Sequence, residues 1–317
     1  MTLISIVVCT YNRAEVLKVT LDGLLRQEVH GAFDYEILVI DNNSTDHSKS
    51  VVEEFIPRSG GKMKYFFQPV QGKSESLNMA VPLAKGDIVA FTDDDVVLSP
   101  SWLYELYQCF AEHGCDGVGG RVLPIYPEGT PVWVRENPHQ VAGAVVIYDH
   151  GEGVREFDQT MELFIGANYA FHREVFDHCG MFRTDLRYNG VHIGEDREFI
   201  RRLIKTGKVL YYCGKAVVWH PVDLKRLRFR PMVRWHMAAG RCAADLESED
   251  KSEMFVCCFG FPRYLLKGIC GDALGMALNA FDRVKFFRNF RGFFRKLGMI
   301  LQYRVLAKRA RGNDGQG

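Results

Sequence analysis

The sequence predicts an α/β protein: a mostly parallel sheet flanked by helices, followed by a C-terminal helical extension. Three observations carry this. Short apolar runs at 3–9, 35–40 and 88–91 each end in polar residues, and strand, polar loop and helix repeat in the way of a parallel sheet. These runs are apolar without alternation, as strands covered on both faces are. From Lys285 onward the apolar spacing becomes that of one long helix.

The bulk of the chain sets limits on function. Its 317 residues can hold one large domain or two smaller ones. A net charge of +1 gives no overall basic excess for nucleic acid, and no nucleic-acid partner is expected. The charge is uneven, however. Residues 261–317 carry +9, which leaves −8 for the rest. Nine cysteines without a C-x-x-C pair read as a reduced, cytosolic chain without structural zinc. No basic segment precedes the first apolar run, so no signal peptide is expected. Lys267 and Asp272 interrupt the best candidate span, Tyr264 to Ala280, so no transmembrane helix is expected.

Taken in order, Leu3 to Cys9 is a strand, and Thr10 to Arg13 a polar loop. A helix follows over about 14–27, with Val16/Leu17, Leu21 and Leu24/Leu25 on its apolar face. Tyr35 to Ile40 is the second strand, and Thr45 or Asp46 caps the next helix, which runs to Phe55. Lys64 to Phe67 is a short third strand, and a glycine-bearing loop at Gln71–Lys73 opens a helix. The fourth strand, Ile88 to Phe91, runs into Asp93, Asp94 and Asp95. Pro100 suits the first turn of a helix ending near Glu112. Val118 to Val122 is another strand. Residues 123–159 are rich in Pro, Gly and aromatics and long enough for a substrate loop. In the run Phe164 to His172, Gly166 and Ala167 are small enough to let a ligand approach, and a helix begins near Arg173. Glu195 and Asp196 open a helix that Gly207 ends. Val209–Tyr212 and Ala216–Trp219 read as two strands, the second closed by His220 and Pro221.

Ligands of open parallel sheets bind outside the carboxyl ends of the strands. The loops after strands one, two and four therefore bring Thr10, Asn12, Arg13, Asp41, Asn43, Asp93 and Asp95 to one edge. Three adjacent carboxylates repel one another. A hard divalent cation shared with substrate phosphates would neutralise them; a solvated acidic turn is the other reading. Asp41 can accept from a base N–H or a ribose hydroxyl, and Arg13 can stack on a base or pair with phosphate. Asn and Asp are also ordinary turn residues, but three such loops on one edge argue for a site. Glu195 and Asp196 fit either a helix-dipole role or a general base for a hydroxyl. His220, at a strand end, can ligate a metal or a phosphate. There is no G-x-G-x-x-G and no P-loop, only a weak echo at Gly72-Lys73-Ser74.

Six pieces occur in order over roughly residues 3–220: S-I-V-V-C-T-Y-N-R, I-L-V-I-D-N-N-S-T-D, Q-G-K-S-E-S-L-N, F-T-D-D-D, G-A-N-Y-A-F and G-E-D. Together they resemble family 2 glycosyltransferases, which have the Rossmann-like GT-A fold. The resemblance implies an inverting, Mg²⁺- or Mn²⁺-dependent enzyme that takes a nucleotide-diphosphate sugar and a glycan or lipid-linked saccharide acceptor. It favours UDP and leaves dTDP and GDP open. It implies that Thr10, Asn12 and Arg13 lie near the nucleotide, with Asn43, and that Asp41 meets the base. Lys73 and Asn78 would sit by the nucleotide or diphosphate. Asp93 and Asp95 would be the D-x-D pair at the metal, Asp95 the first choice of direct ligand and Asp93 nearer the ribose, with Asp94 on the donor side and His220 a further metal ligand. Asp196 would be the catalytic base, with Glu195 beside it. Processive members carry Q-x-x-R-W and membrane spans. Here Arg234-Trp235 remains, Pro231 stands in place of Gln, and a non-processive enzyme is expected.

Two other classes fit less well. A nucleotidyltransferase would need a Gly-rich, basic loop after strand one, which is missing. A non-catalytic scaffold would not need Asp93, Asp95 and Asp196 together.

In the extension, Phe287, Phe290, Phe294, Leu297 and Leu301 form a stripe, widened by Phe286, Phe293 and Ile300, opposite Arg288, Arg291, Arg295 and Lys296. Residues 284–311 could lie peripherally on a membrane, or the stripe could pack on the catalytic domain. Gly292 and Gly298 each weaken the helix by roughly 1 kcal/mol, so it needs a partner surface. The expected division is a catalytic domain at 1–225, a helical basic region at 226–311 and a disordered tail at 312–317, in a protein that is cytoplasmic or peripheral on the inner face of the membrane.

Overall fold

The computed structural model describes residues 1–158, 160–250, 257–258 and 260–313. The chain groups into two compact units. One comprises Met1–Ile125, Val146–Thr184 and Glu195–Pro221; the other comprises Tyr126–Val145, Asp185–Gly194 and Val222–Gly317.

The first unit opens with β1 (Leu3–Thr10), α1 (Ala14–Leu25), β2 (Asp34–Asp41), α2 (Ser48–Phe55), β3 (Met63–Phe67), α3 (Lys73–Leu83) and β4 (Ile88–Asp93). β5 (Val97–Leu98), α4 (Trp102–His113) and β6 (Gly117–Ile125) follow. The second unit supplies the short helix α5 (Val132–Glu136), and the first resumes with β7 (Val154–Glu156), β8 (Asn168–His172) and α6 (Val175–Cys179). A hairpin of β9 (Arg187–Tyr188) and β10 (Val191–His192) belongs to the second unit; α7 (Glu195–Lys205) and β11 (Leu210–Pro221) complete the first.

The sheet order is β3-β2-β1-β4-β8-β6-β11-β5, with β7 also on β11. β3, β2, β1, β4, β6 and β11 run one way, while β8, β5 and β7 run against them. The expected mixed α/β class with a mostly parallel sheet is therefore found. Ile6, Val8, Ile37, Val39, Val89 and Ala90 are fully buried, which is why β1, β2 and β4 read as continuous apolar runs. In register, Thr10 faces Asp41 and Cys9 faces Asp93, so three strand ends lie level and their loops share one edge.

Several elements differ in detail. In α1 the buried face is Ala14, Leu17, Thr20, Leu21 and Leu24. Val16 is exposed, and Thr20 is buried in its place because its hydroxyl bonds Val96 O at 2.9 Å. Asp46 accepts from Ser48 N at 3.0 Å and from Ala14 N at 3.1 Å, serving the first turns of α2 and α1 together. Pro100 lies before the α4 cap, Ser101, rather than inside the helix. The two strands expected at 209–212 and 216–219 are one strand, β11, with a bulge between Cys213 and Val217. The bulge frees Ala216 O, which accepts from Asn168 Nδ2 at 2.8 Å. The region 123–159 divides between the units and contains α5 and β7.

The second unit is mainly α8 (Phe229–Asp250), α9 (Arg263–Leu278) and α10 (Arg283–Asn313). Of the stretch expected to be a disordered tail, Gly312 and Asn313 end α10, and 314–317 lie outside the described residues. Phe290 is buried with Val134, Val141, Val145, Val222 and Met232, and Phe287 stacks on Trp133 with centroids 4.6 Å apart. The Phe stripe thus packs within its own unit. Gly298 is where α10 meets α8: a Cβ there would lie 2.2 Å from Met237 O, and one at Gly240 would lie 1.9 Å from Arg295 O. The helix cost of Gly298 is offset by this close crossing. Arg234 donates to Asn189 O at 2.6 Å, and the Trp235 ring covers Gly143; both residues pack this unit. Among the described residues, no helix is long and apolar enough to cross a membrane.

Candidate active site

The site lies on the first unit, at the carboxyl ends of β1, β2 and β4. Asp93 ends β4, and Asp94 and Asp95 form the turn after it. The three carboxylates do not act alike. Asp93 and Asp95 each offer an oxygen to one point with a His220 nitrogen, the three ligand atoms lying within 4.8 Å of one another. Asp94 turns away into the protein and meets Arg13 at 2.9 Å. Burial, ahead of the charge of Asp95, pushes the Asp94 carboxyl up to about 6, against the pull of Arg13.

Two cations balance the cluster. Arg13 Nη1 bridges Asp94 and Asp95, at 2.9 and 2.7 Å. Lys73, the first residue of α3, donates to Asp93 Oδ1 at 2.8 Å. Burial alone would lower the Lys73 pKa, but the charges of Asp93 and then Glu195 hold it well above its ordinary value. Burial would likewise raise Asp93, and Lys73 keeps it low.

The donor set at Asp93, Asp95 and His220 fits a divalent cation. His220 Nδ1 lies 3.0 Å from Pro221 O. A carbonyl only accepts, so Nδ1 carries the hydrogen, and in the neutral ring Nε2 presents a lone pair. That nitrogen lies 3.5 Å from Asp95 Oδ1 and 3.9 Å from Asp93 Oδ2. Asp95 Oδ1 is buried with no hydrogen-bond partner. Lone pairs converging in this way call for a positive centre, and two carboxylate oxygens beside an imidazole nitrogen can supply part of the shell of a divalent cation.

Asp196, second in α7, accepts from Gly166 N at 3.0 Å through Oδ2. A Cβ on Gly166 would sit 3.2 Å from Lys73 Nζ and 3.4 Å from Asp196 Oδ2. The bare Cα of Gly166 therefore leaves open the space on which the ammonium and the carboxylate converge. Beside Asp196, Glu195 is buried; desolvation and then the Asp196 charge push its carboxyl up to about 7.

The remaining residues singled out in the sequence divide. Asp41 is buried and held from two sides, by Ser44 N on Oδ1 and Tyr65 OH on Oδ2, each at 2.8 Å. Thr10 is buried beside it, at the end of β1. Asn12 ties two loops, its Oδ1 accepting from Thr45 N at 2.7 Å and Asp46 N at 3.2 Å. Asn43 is exposed, at φ 65°. Asn78 is not brought into the cluster: its amide pairs with the Phe182 main chain at 2.8 and 2.9 Å.

Sequence reasoning missed Tyr65, whose hydroxyl reaches Asp41 across neighbouring strands, a diagonal contact that no single-strand pattern reveals. It also missed Asn42, which anchors the loop before α3 through Val70 O and Gly72 N; nothing in the sequence separates it from its exposed neighbour Asn43.

The profile described as glycosyl transferase family 2 matches residues 5–180. The succinoglycan biosynthesis protein ExoM of Rhizobium meliloti is 25% identical over 247 residues, covering 78% of this chain and 75% of that protein. Among solved structures, the mannosyltransferase PcManGT from Pyrobaculum calidifontis, in complex with GDP-Man and Mn²⁺, superposes with a TM-score of 0.60. It is 16% identical, over 94% of this chain and 86% of that one. S. aureus TarS 1-349, in complex with UDP, gives a TM-score of 0.54 at 18% identity, over 99% of this chain and 92% of that one. The overall architecture is the GT-A fold.

Proposed function

The chain belongs to glycosyl transferase family 2, and on that premise we propose that it transfers one sugar per encounter. The donor is a nucleoside-diphosphate sugar, and the acceptor is a hydroxyl of a glycan or lipid-linked saccharide. The observation that carries this reading is the convergence of Lys73 and Asp196 on Gly166, with Lys73 also bound to Asp93 of the acidic cluster. One chain of contacts thereby links the donor-phosphate side to a candidate base.

Asp95, Asp93 and His220 would hold the divalent cation, which when bound neutralises charge developing on the leaving diphosphate. The protein's own groups do the rest. The Asp196 carboxylate takes the proton of the acceptor hydroxyl. The acceptor oxygen forms a bond to the anomeric carbon as the bond to the diphosphate oxygen breaks, and the electron pair leaves with the diphosphate. A single in-line step inverts the anomeric carbon. Lys73, kept cationic beside Asp93, faces the same diphosphate. Asp41, fixed by Tyr65 and Ser44, offers an acceptor carboxylate, which suits the ring N–H of uracil, thymine or guanine and not the bare ring nitrogens of cytosine or adenine. UDP is our first choice of nucleotide; TarS was solved with UDP and PcManGT with GDP-Man.

Asp196→Asn keeps the size of the side chain and removes the base. Sugar transfer is expected to fall by at least about 100-fold, with nucleotide and Mn²⁺ affinity within a factor of a few of wild type. Undiminished turnover would remove Asp196 from the role.

A further inference from the structure

We infer that the outer face of α9 docks on an anionic lipid bilayer, independently of the sugar transfer proposed above. The inner face of α9 is spent within the unit. Leu265 is buried with Phe261, Met299, Ile300 and Tyr303, and Asp272 pairs with Lys296 at 2.5 Å. The outer face is different. Leu266, Leu274, Leu278 and Phe281 are exposed, Leu278 by 75% and Phe281 completely. At 100° per residue, Leu266, Cys270, Leu274, Ala277 and Leu278 share one side of the helix, and Phe281 follows just past its end. A row of leucines ending in a bare phenylalanine is more apolar surface than an element facing water ordinarily carries.

Charge indicates what covers it. Residues 263–313 hold twelve Lys and Arg and two acids, a net +10. Both acids are neutralised locally, Asp272 by Lys296 and Asp282 by Lys285 at 3.0 Å. Arg263 and Lys267 are exposed at the start of α9, and Arg283, Lys285 and Arg288 are exposed just after Phe281. Cations thus flank an apolar row at both ends, the order an interface of acyl chains under anionic headgroups matches. A second copy of this face would set the same exposed cations, Arg263, Lys267, Arg283 and Arg288, against one another and is disfavoured. Length separates docking from insertion, since no described helix can span a bilayer. The Phe stripe of α10, the surface offered to a membrane by the sequence, is occupied by packing; the exposed apolar row lies on the neighbouring helix.

The test is sedimentation of the whole chain with sucrose-loaded vesicles, either pure phosphatidylcholine or three parts phosphatidylcholine to one part phosphatidylglycerol. Wild type is expected on the anionic vesicles and only weakly on the neutral ones. The Leu274→Asp/Leu278→Asp double variant and the Arg263→Glu/Lys267→Glu variant should each bind the anionic vesicles about tenfold or more weakly. Their urea unfolding should match wild type, because all four positions are exposed. Wild type that ignores anionic vesicles at low salt, or variants that bind as wild type does, overturns the inference. So does wild type that self-associates without lipid and becomes monomeric with Leu274→Asp/Leu278→Asp, since the face would then meet another copy.

Discussion

Glu195 shows how far a single side chain departs from its sequence reading. Placed first in a helix, it suits the dipole, yet burial, and after it the charge of Asp196, lifts its carboxyl from 4.5 to about 7. The folded protein therefore keeps a proton that the unfolded chain releases above its lower pKa. Stability should fall as pH rises between those values and level off above about 7. Glu195→Gln is neutral throughout and escapes this decline. In EDTA, urea unfolding should give the variant a margin that is under about 1 kcal/mol at pH 5 and grows to about 3 kcal/mol at pH 8. A margin independent of pH would mean that Glu195 ionises normally. The same scale sets the limit of the sequence. The acid triplet announced a charged site, but which carboxylate turns inward depends on Arg13, 81 residues from Asp94. Asn78 sits in a motif, and only the fold reveals that Phe182 takes both ends of its amide.

Among the elements, β1, β2 and β4 were legible because each is a short apolar run closed by polar residues. β11 was not, because a bulge breaks its pattern where Gly214 and Lys215 interrupt the apolar residues. That bulge, α4 and β6 meet at Asn168. Its amide accepts from the Trp102 indole at 2.8 Å and donates to Arg121 O and Ala216 O at 2.9 and 2.8 Å. Asn168 is fully buried, so Asn168→Ala strands one donor and two acceptors, each worth about 1–3 kcal/mol. A loss of at least about 3 kcal/mol is expected from the urea midpoint. A loss under about 1 kcal/mol would mean that the three elements hold together without this bridge. The helix α10 was legible as a helix; its partners were not, because a stripe records that a face is apolar and not what covers it.

For the molecule as a whole, a formal charge near zero conceals an acidic body, where the candidate site lies, and a basic C-terminal stretch. The fold could be read in advance because its βαβ order is local in sequence. Its division into two units could not, since residues 126–145 and 185–194 leave the first unit and return to it. The central claim is a nucleotide-diphosphate site that depends on Asp93, Asp95 and His220 holding a cation. Thermal unfolding with Mn²⁺ and UDP, or GDP or dTDP in its place, tests it most directly. A ligand at 100 times its Kd stabilises by about 2.7 kcal/mol, roughly 5 °C for a chain of this size. A rise of that order with one nucleotide, abolished by EDTA and by Asp95→Asn, is the expected result. A rise that survives both, or none with any of the three nucleotides at millimolar concentration, would contradict the assignment of this cluster.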